Sequence, residues 1–228
     1  VERKTDDRMS GWALIAGSVA NIITMTLHPT GHDLFAPGRF QSVARLGVAV
    51  HALALVSLPV LFLGGCGLTR HLASAGRLAL AALLTYGFSL AAVMNAAVFG
   101  GLVAMRLAGR PIETGPQADG WRIAFRYTGD LNQAFALVFV VASSAAILLW
   151  SAAILRNGFL ARGIGIYGCI LAPITILAVL SGHLNLDVHG FGAIILGQAI
   201  WLISAGVQLC RADERLNPGP LPSPQRTD

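Results

Sequence analysis

Leu78-Ala-Leu-Ala-Ala-Leu-Leu-Thr-Tyr-Gly-Phe-Ser-Leu-Ala-Ala-Val-Met-Asn-Ala-Ala-Val-Phe-Gly-Gly-Leu-Val-Ala-Met105 contains no Asp, Glu, Lys, Arg or His. A helix needs only about 20 residues to cross the ~30 Å hydrocarbon core of a bilayer, and a run this long and uncharged reads as a membrane span. Working outward, five more stretches have the same character: Gly11 to Leu27, Leu46 to Cys66, Leu131 to Leu155, Gly163 to Leu180 and Phe191 to Leu209. With 55% of its 228 residues hydrophobic and 12% charged, the chain is too apolar to cover the surface of a soluble domain. The expected fold class is all-α, an integral membrane bundle of six transmembrane helices.

No soluble domain can be cut from the chain. The longest polar connection, about Arg106 to Asp130, carries no core-forming periodicity. Residues 1–211 are therefore expected to form one transmembrane domain. Residues 212–228, with Pro218, Pro220, Pro222 and Pro224, read as a Pro-rich, disordered tail. Arg3, Lys4 and Arg8 before the first apolar stretch imitate a secretory signal, but no small-x-small cleavage site precedes His28, so an uncleaved first span is expected.

The formal charge of +5 is explained by topology rather than by nucleic acid, which is not an expected partner. Placing the N-terminus inside leaves ten Lys or Arg residues on the cytoplasmic side and six outside, with the inner connections short. Both termini are then cytoplasmic, and the location is a bacterial inner membrane. Cys66, Cys169 and Cys210 fall near the inner face and read as small buried side chains.

Gly67 to Gly76 and Arg156 to Arg162 form tight inner hairpins, which makes the spans they join antiparallel neighbours. The second hairpin lies in Ile154-Leu-Arg-Asn-Gly-Phe-Leu-Ala-Arg-Gly-Ile-Gly-Ile-Tyr-Gly168. Together with Gly11-Trp-Ala-Leu-Ile-Ala-Gly17 and Arg45-Leu-Gly47, it resembles a bacterial six-span membrane family known as a domain of unknown function. The resemblance covers roughly spans one to five, implies a six-helix membrane fold and brings no activity. The family's hairpin proline is Ala161 here. Gly163-x-Gly165-x-x-Gly168 imitates the dinucleotide fingerprint without the strand and soluble βαβ unit that motif requires. Close helix packing is the better use for these glycines, as for Gly64, Gly65, Gly100 and Gly101. Pro59 and Pro173 predict local kinks in spans two and five.

The polar residues inside the spans share one leaflet. Asn21, His28, His51, Asn95, Asn132, Gln133 and Gln198, with Asp130 at the start of span four, all map to the outer half. A polar group in hydrocarbon is costly unless paired or hydrated, so their agreement in depth predicts a shared pocket. Asp130 reads as the N-cap of span four, and Asn95 and Asn132 as the partners of His51. A haem held by His51 would require His28 as the second axial ligand.

The outer connections carry His28, His32 and Asp33 after span one and His183, Asp187 and His189 between spans five and six. Imidazole and carboxylate are ligand types for zinc, copper or iron, and convergence of the two loops would build a metal site. The competing reading makes them interfacial residues, with Asp187 or Asn185 capping span six. No Gly-x-Ser-x-Gly elbow supports nucleophilic catalysis, and no acidic relay crosses the bilayer to support transport.

Three function classes remain: a membrane binding or accessory protein, such as one subunit of a larger complex; a metal-dependent lipid hydrolase or redox enzyme; and a small transporter. The first is favoured because no catalytic spacing is present. Its partners would be lipid, other membrane proteins or a second copy of the chain. A periplasm-dependent reporter fused after Arg226 is expected to stay silent, and a strong signal would reverse the orientation.

Overall fold

The computed structural model describes residues 2–29, 40–108, 116–158 and 160–215. His32, Asp33 and the tail from 216 to 228 lie outside the described residues. Helix α1 is Glu2–Thr26, α2 Phe40–His71, α3 Arg77–Ala97, α4 Pro116–Asn157, α5 Arg162–Leu180 and α6 Val188–Arg215. A π-helical turn, Val98–Val103, and a last α-turn, Ala104–Ala108, continue α3. Six helical segments are long and apolar enough to cross a membrane, and no strand occurs among the described residues.

Helices α2, α4 and α6 overrun their apolar stretches at both ends, because a backbone hydrogen-bonded to itself gains nothing by unwinding where the hydrocarbon stops. The largest departure is α4. It begins at Pro116, a residue suited to the first helical position, and runs unbroken past Gly120 and Gly129. Asp130 is therefore an exposed mid-helix residue and not the N-cap expected from the sequence. In the added length, Asp119 pairs with Arg122 at 3.4 Å across one turn.

The α2–α3 connection is tighter than the sequence implied, since α2 persists to His71 and leaves only the short turn around Ala73–Ala75. Gly76 closes that turn with φ of 59° and Gly158 ends α4 with φ of 67°, values that L side chains rarely adopt. Helix α1 packs along α2 and α6, α3 along α4, and α4 along α5.

The main core lies toward the end of the bundle where α1 begins and α6 ends. Trp150 of α4 and Trp201 of α6 are both fully buried, with ring centroids 6.1 Å apart and planes within 14°. Each indole N–H is used: Trp150 donates to the Thr69 hydroxyl of α2 and Trp201 to the Ile164 carbonyl of α5, both at 3.1 Å. Tyr86 meets the Trp150 ring edge-on at 5.1 Å. These two tryptophans are the keystones of the core.

Glycine sets the helix spacing around them. A Cβ on Gly168 would collide with Ser151 and Trp201, and one on Gly165 would lie 2.8 Å from Leu155, so two of the three fingerprint-like glycines serve packing while Gly163 faces open space. Helices α1 and α6 touch backbone to backbone, where a Cβ on Gly206 would lie 2.7 Å from the Gly11 carbonyl oxygen. Small residues of this kind replace the hydrophobic driving force that lipid does not supply between helices.

Outward, α3 presents Leu80, Leu84 and Phe88 and α5 presents Ile166, Ile170, Ile174 and Leu177, all exposed. Apolar surface on this scale suits contact with lipid. Beside the termini, Asp6 pairs with Arg70 and Asp7 with His71, both at 3.3 Å. Cys66 and Cys169 are free thiols, and the Cys210 thiol donates to the Arg8 carbonyl at 3.7 Å.

Gly206→Val places a branched side chain against backbone that cannot yield, so it is expected to cost about 1–3 kcal/mol. Thermal unfolding in detergent checks this, and an unchanged Tm would contradict the α1–α6 contact.

Candidate functional site: a histidine-walled cavity

A cavity of about 260 Å³ opens at the end of the bundle opposite the termini. Its polar wall consists of Thr24 and His28 from α1 and the turn after it, His51 from α2, Asn132 and Gln133 from α4, and Asp187 just before α6. Met25, Ala54, Val93, Ala96, Ala97, Ala136, Leu186 and Phe191 supply the apolar remainder. A mostly apolar cleft with a few convergent polar groups is the usual form of a small-ligand site.

His51 is 92% shielded and sits one helical turn beyond Gly47, whose carbonyl accepts its Nδ1–H at 2.7 Å. Its Nε2 faces His28 Nε2 at 3.4 Å. The two rings meet edge-on, with centroids 4.9 Å apart and planes inclined by 65°. His28 follows the last turn of α1 and donates Nδ1–H to the Pro29 carbonyl at 3.0 Å. Burial lowers the His28 pKa below the ordinary imidazole value, and the Pro29 bond opposes that shift. No porphyrin plane fits between nitrogens this close, so the haem arrangement considered from the sequence does not match the pair.

Space for the His51 ring comes from α3. Gly101 lies against the imidazole so closely that a Cβ there would collide with it, and a Cβ on Gly100 would lie 2.8 Å from Asn132 Oδ1. Both glycines fall within the π turn Val98–Val103. Such a turn widens the helix by one residue, and π-bulges are frequent at functional sites.

Elsewhere the wall is tied down. Gln133 donates to the Leu186 carbonyl at 3.2 Å, linking α4 to the connection before α6. Asp187 Oδ1 accepts the Gly190 amide at 2.8 Å, the capping role the sequence offered as one alternative. Thr24 donates to the Val50 carbonyl at 3.4 Å, joining α1 to α2.

The residues expected to share one pocket divide into three groups. His28, His51, Asn132 and Gln133 line the cavity. Asn21 and Gln198 instead border a deeper void of about 20 Å³ beside Tyr86. There Asn21 accepts the Ser57 hydroxyl at 2.8 Å, while Gln198 donates to Ser143 at 2.8 Å and Ser144 at 3.2 Å. Asn95 turns back to the Ala91 carbonyl of its own helix at 2.8 Å, and neither it nor Asp130 borders the cavity.

Of the expected loop metal ligands His28, His183, Asp187 and His189 are described, and His32 and Asp33 lie outside the described residues. Among the described residues no group of three or more His, Cys, Asp and Glu comes together. His183 contacts the Ser181 hydroxyl at 2.8 Å on the exposed side of the connection. His189 borders a separate groove of about 360 Å³ between α1 and α6. Met25, His28 and Val188 line both that groove and the cavity, and so form the partition between them. Thr24, Gly100 and Gly101 were absent from the expected pocket set, although the adjacent glycines were visible as a close-packing signal.

Compared with protein-family models, curated proteins and solved structures, the chain matches none.

Gly101→Ala is expected to drive the His51 ring from its seat at a cost of about 1–3 kcal/mol. Gly163→Ala, with nothing within 4 Å of its added carbon, should stay within about 0.5 kcal/mol. Equal Tm values for the two variants would contradict the close contact.

Proposed function

We propose that this chain is a multi-pass binding protein of the bacterial inner membrane, accessory in type, that holds an amphiphile in its histidine-walled cavity. Both termini are placed in the cytoplasm by the positive-inside bias, which puts the cavity in the outer-leaflet half. The observation that carries the reading is the pairing of the cavity with the groove between α1 and α6 across a shared partition.

Ile22, Ile195 and Leu196 give the groove an apolar floor facing the hydrocarbon, whereas the cavity behind it offers the amides of Asn132 and Gln133. A ligand that travels in the bilayer with its tail in lipid and its head seeking hydrogen bonds fits both spaces. At about 260 Å³ the cavity lies at the small end of the range for ligand sites and suits a compact head or ring. Met25 supports entry because its side chain is unbranched and adaptable and forms part of the partition.

The enzyme reading loses its main support with the dispersal of His183, Asp187 and His189. The cavity alone contains no nucleophile paired with a base.

Mass spectrometry of lipid extracts from gently purified protein tests the proposal. Wild type is expected to retain about one amphiphile per chain, which Ala136→Phe should displace by filling space. Gln133→Leu, at an exposed position, should weaken retention without disturbing the core. Equal retention in wild type and both variants would overturn the reading.

A further inference from the structure

Hydrogen bonding fixes the state of both cavity histidines. A carbonyl oxygen can only accept, so the contacts to Pro29 and Gly47 require an N–H at Nδ1 of each ring. In a neutral imidazole the other nitrogen then carries a bare lone pair. His28 Nε2 and His51 Nε2 therefore face each other, 3.4 Å apart, as two acceptors with no hydrogen between them. Changing either ring's tautomer would make an N–H for the pair only by setting a second lone pair against a carbonyl oxygen. A proton on one Nε2 or a metal ion held between the two nitrogens resolves the conflict, and the geometry decides between them.

We infer that His28 and His51 form a two-imidazole site for a late first-row transition-metal ion of the zinc and copper class. Two imidazoles on one tetrahedral ion, with bonds of about 2.0–2.1 Å, hold their nitrogens about 3.3–3.4 Å apart. The observed separation is 3.4 Å. An N–H···N hydrogen bond prefers a shorter, head-on approach, whereas these rings meet at an angle, with centroids only 4.9 Å apart. Each ring also donates its second nitrogen to a backbone carbonyl, the outer-shell arrangement that orients metal-bound histidines.

The rings are held by unlike means. His51 is clamped between its own helix and Gly101, while His28 is positioned by the turn ending α1. Two neutral imidazoles leave most of the ion's charge uncompensated and its remaining positions open to the cavity. An anionic head group completes the coordination and compensates the charge. For that last step the inference rests on the amphiphile reading; metal binding by the two histidines does not.

The test is a titration of the full-length, delipidated protein in detergent with Zn²⁺, and anaerobically with Cu⁺, read by competition with a chromophoric chelator. About one ion should bind per chain, and His28→Gln and His51→Gln should each weaken binding by at least about 100-fold. His28 is half-buried at a helix end, so its variant keeps the test decisive even where the His51 variant unfolds. The double variant His183→Gln/His189→Gln should bind as wild type does. Ala136→Phe should lose amphiphile yet keep metal, which separates failure of this inference from failure of the cavity reading. Wild-type affinity no greater than that of His28→Gln, or loss of metal only in the His183/His189 variant, would overturn the site.

Discussion

Inside a bilayer a buried polar atom has only the protein to bond to, and the bundle is organised around that constraint. Trp150 and Trp201 stack through the core because each N–H reaches a neighbouring helix, Thr69 on α2 and Ile164 on α5. Gln198 spans α6 and α4 through Ser143 and Ser144, and Ser57 holds Asn21 across α2 and α1. Each is a cross-helix tie whose loss would strand a donor or acceptor in a dry interior, where the cost runs to about 1–3 kcal/mol per group. Packing and hydrogen bonding therefore select the same helix neighbours. Against that background two lone pairs facing each other at 3.4 Å are an exception to the rule that most of the interior follows, alongside the unpartnered Ser18 and Ser151 hydroxyls and the Asn157 amide.

The exception is built from a local change in helix geometry. At Val98 the hydrogen-bonding pattern of α3 widens to the π form and returns to α at Ala104. The turn costs regular hydrogen-bond geometry and puts Gly100 and Gly101 against two cavity side chains from different helices, Asn132 and His51. An imidazole is too large to lie against a helix that carries a Cβ at the contact. Backbone irregularity, paired glycines and a buried histidine are thus parts of one arrangement rather than three oddities.

The span count was legible because the transfer cost of charge into hydrocarbon writes membrane crossings directly into composition. Depth was legible too: His51, Asn132 and Gln133 do share a cavity, because position along a span fixes height in the bundle. Azimuth was not. Periodicity on one helix says nothing about which neighbour it faces, so Asn21 and Gln198 entered a separate void, Asn95 bonded its own helix, and His51 met His28 instead of Asn95 or Asn132. The start of α4 at Pro116 was hidden for a different reason, since a polar helix beyond the apolar stretch has no hydropathy signal. Likewise the π turn is a matter of hydrogen-bond register, and the sequence shows only its glycines.

The contact that closes one end of the bundle also opens the other. Helices α1 and α6 meet backbone to backbone at Gly11 and Gly206, a spacing that no pair of larger residues could reach. Toward their other ends the same two helices carry Met25, His28 and His189, and across Gly192 the nearest group is the Met25 methyl, in ordinary van der Waals contact at 3.7 Å from a built Cβ. Two stiff rods pressed together at one end and spaced by side chains at the other form a wedge. Its open side is the groove, and the residues that prop it apart, Met25 and His28, are also cavity wall. The glycine contact and the turn that presents His28 to His51 thus lie at opposite ends of one helix, α1.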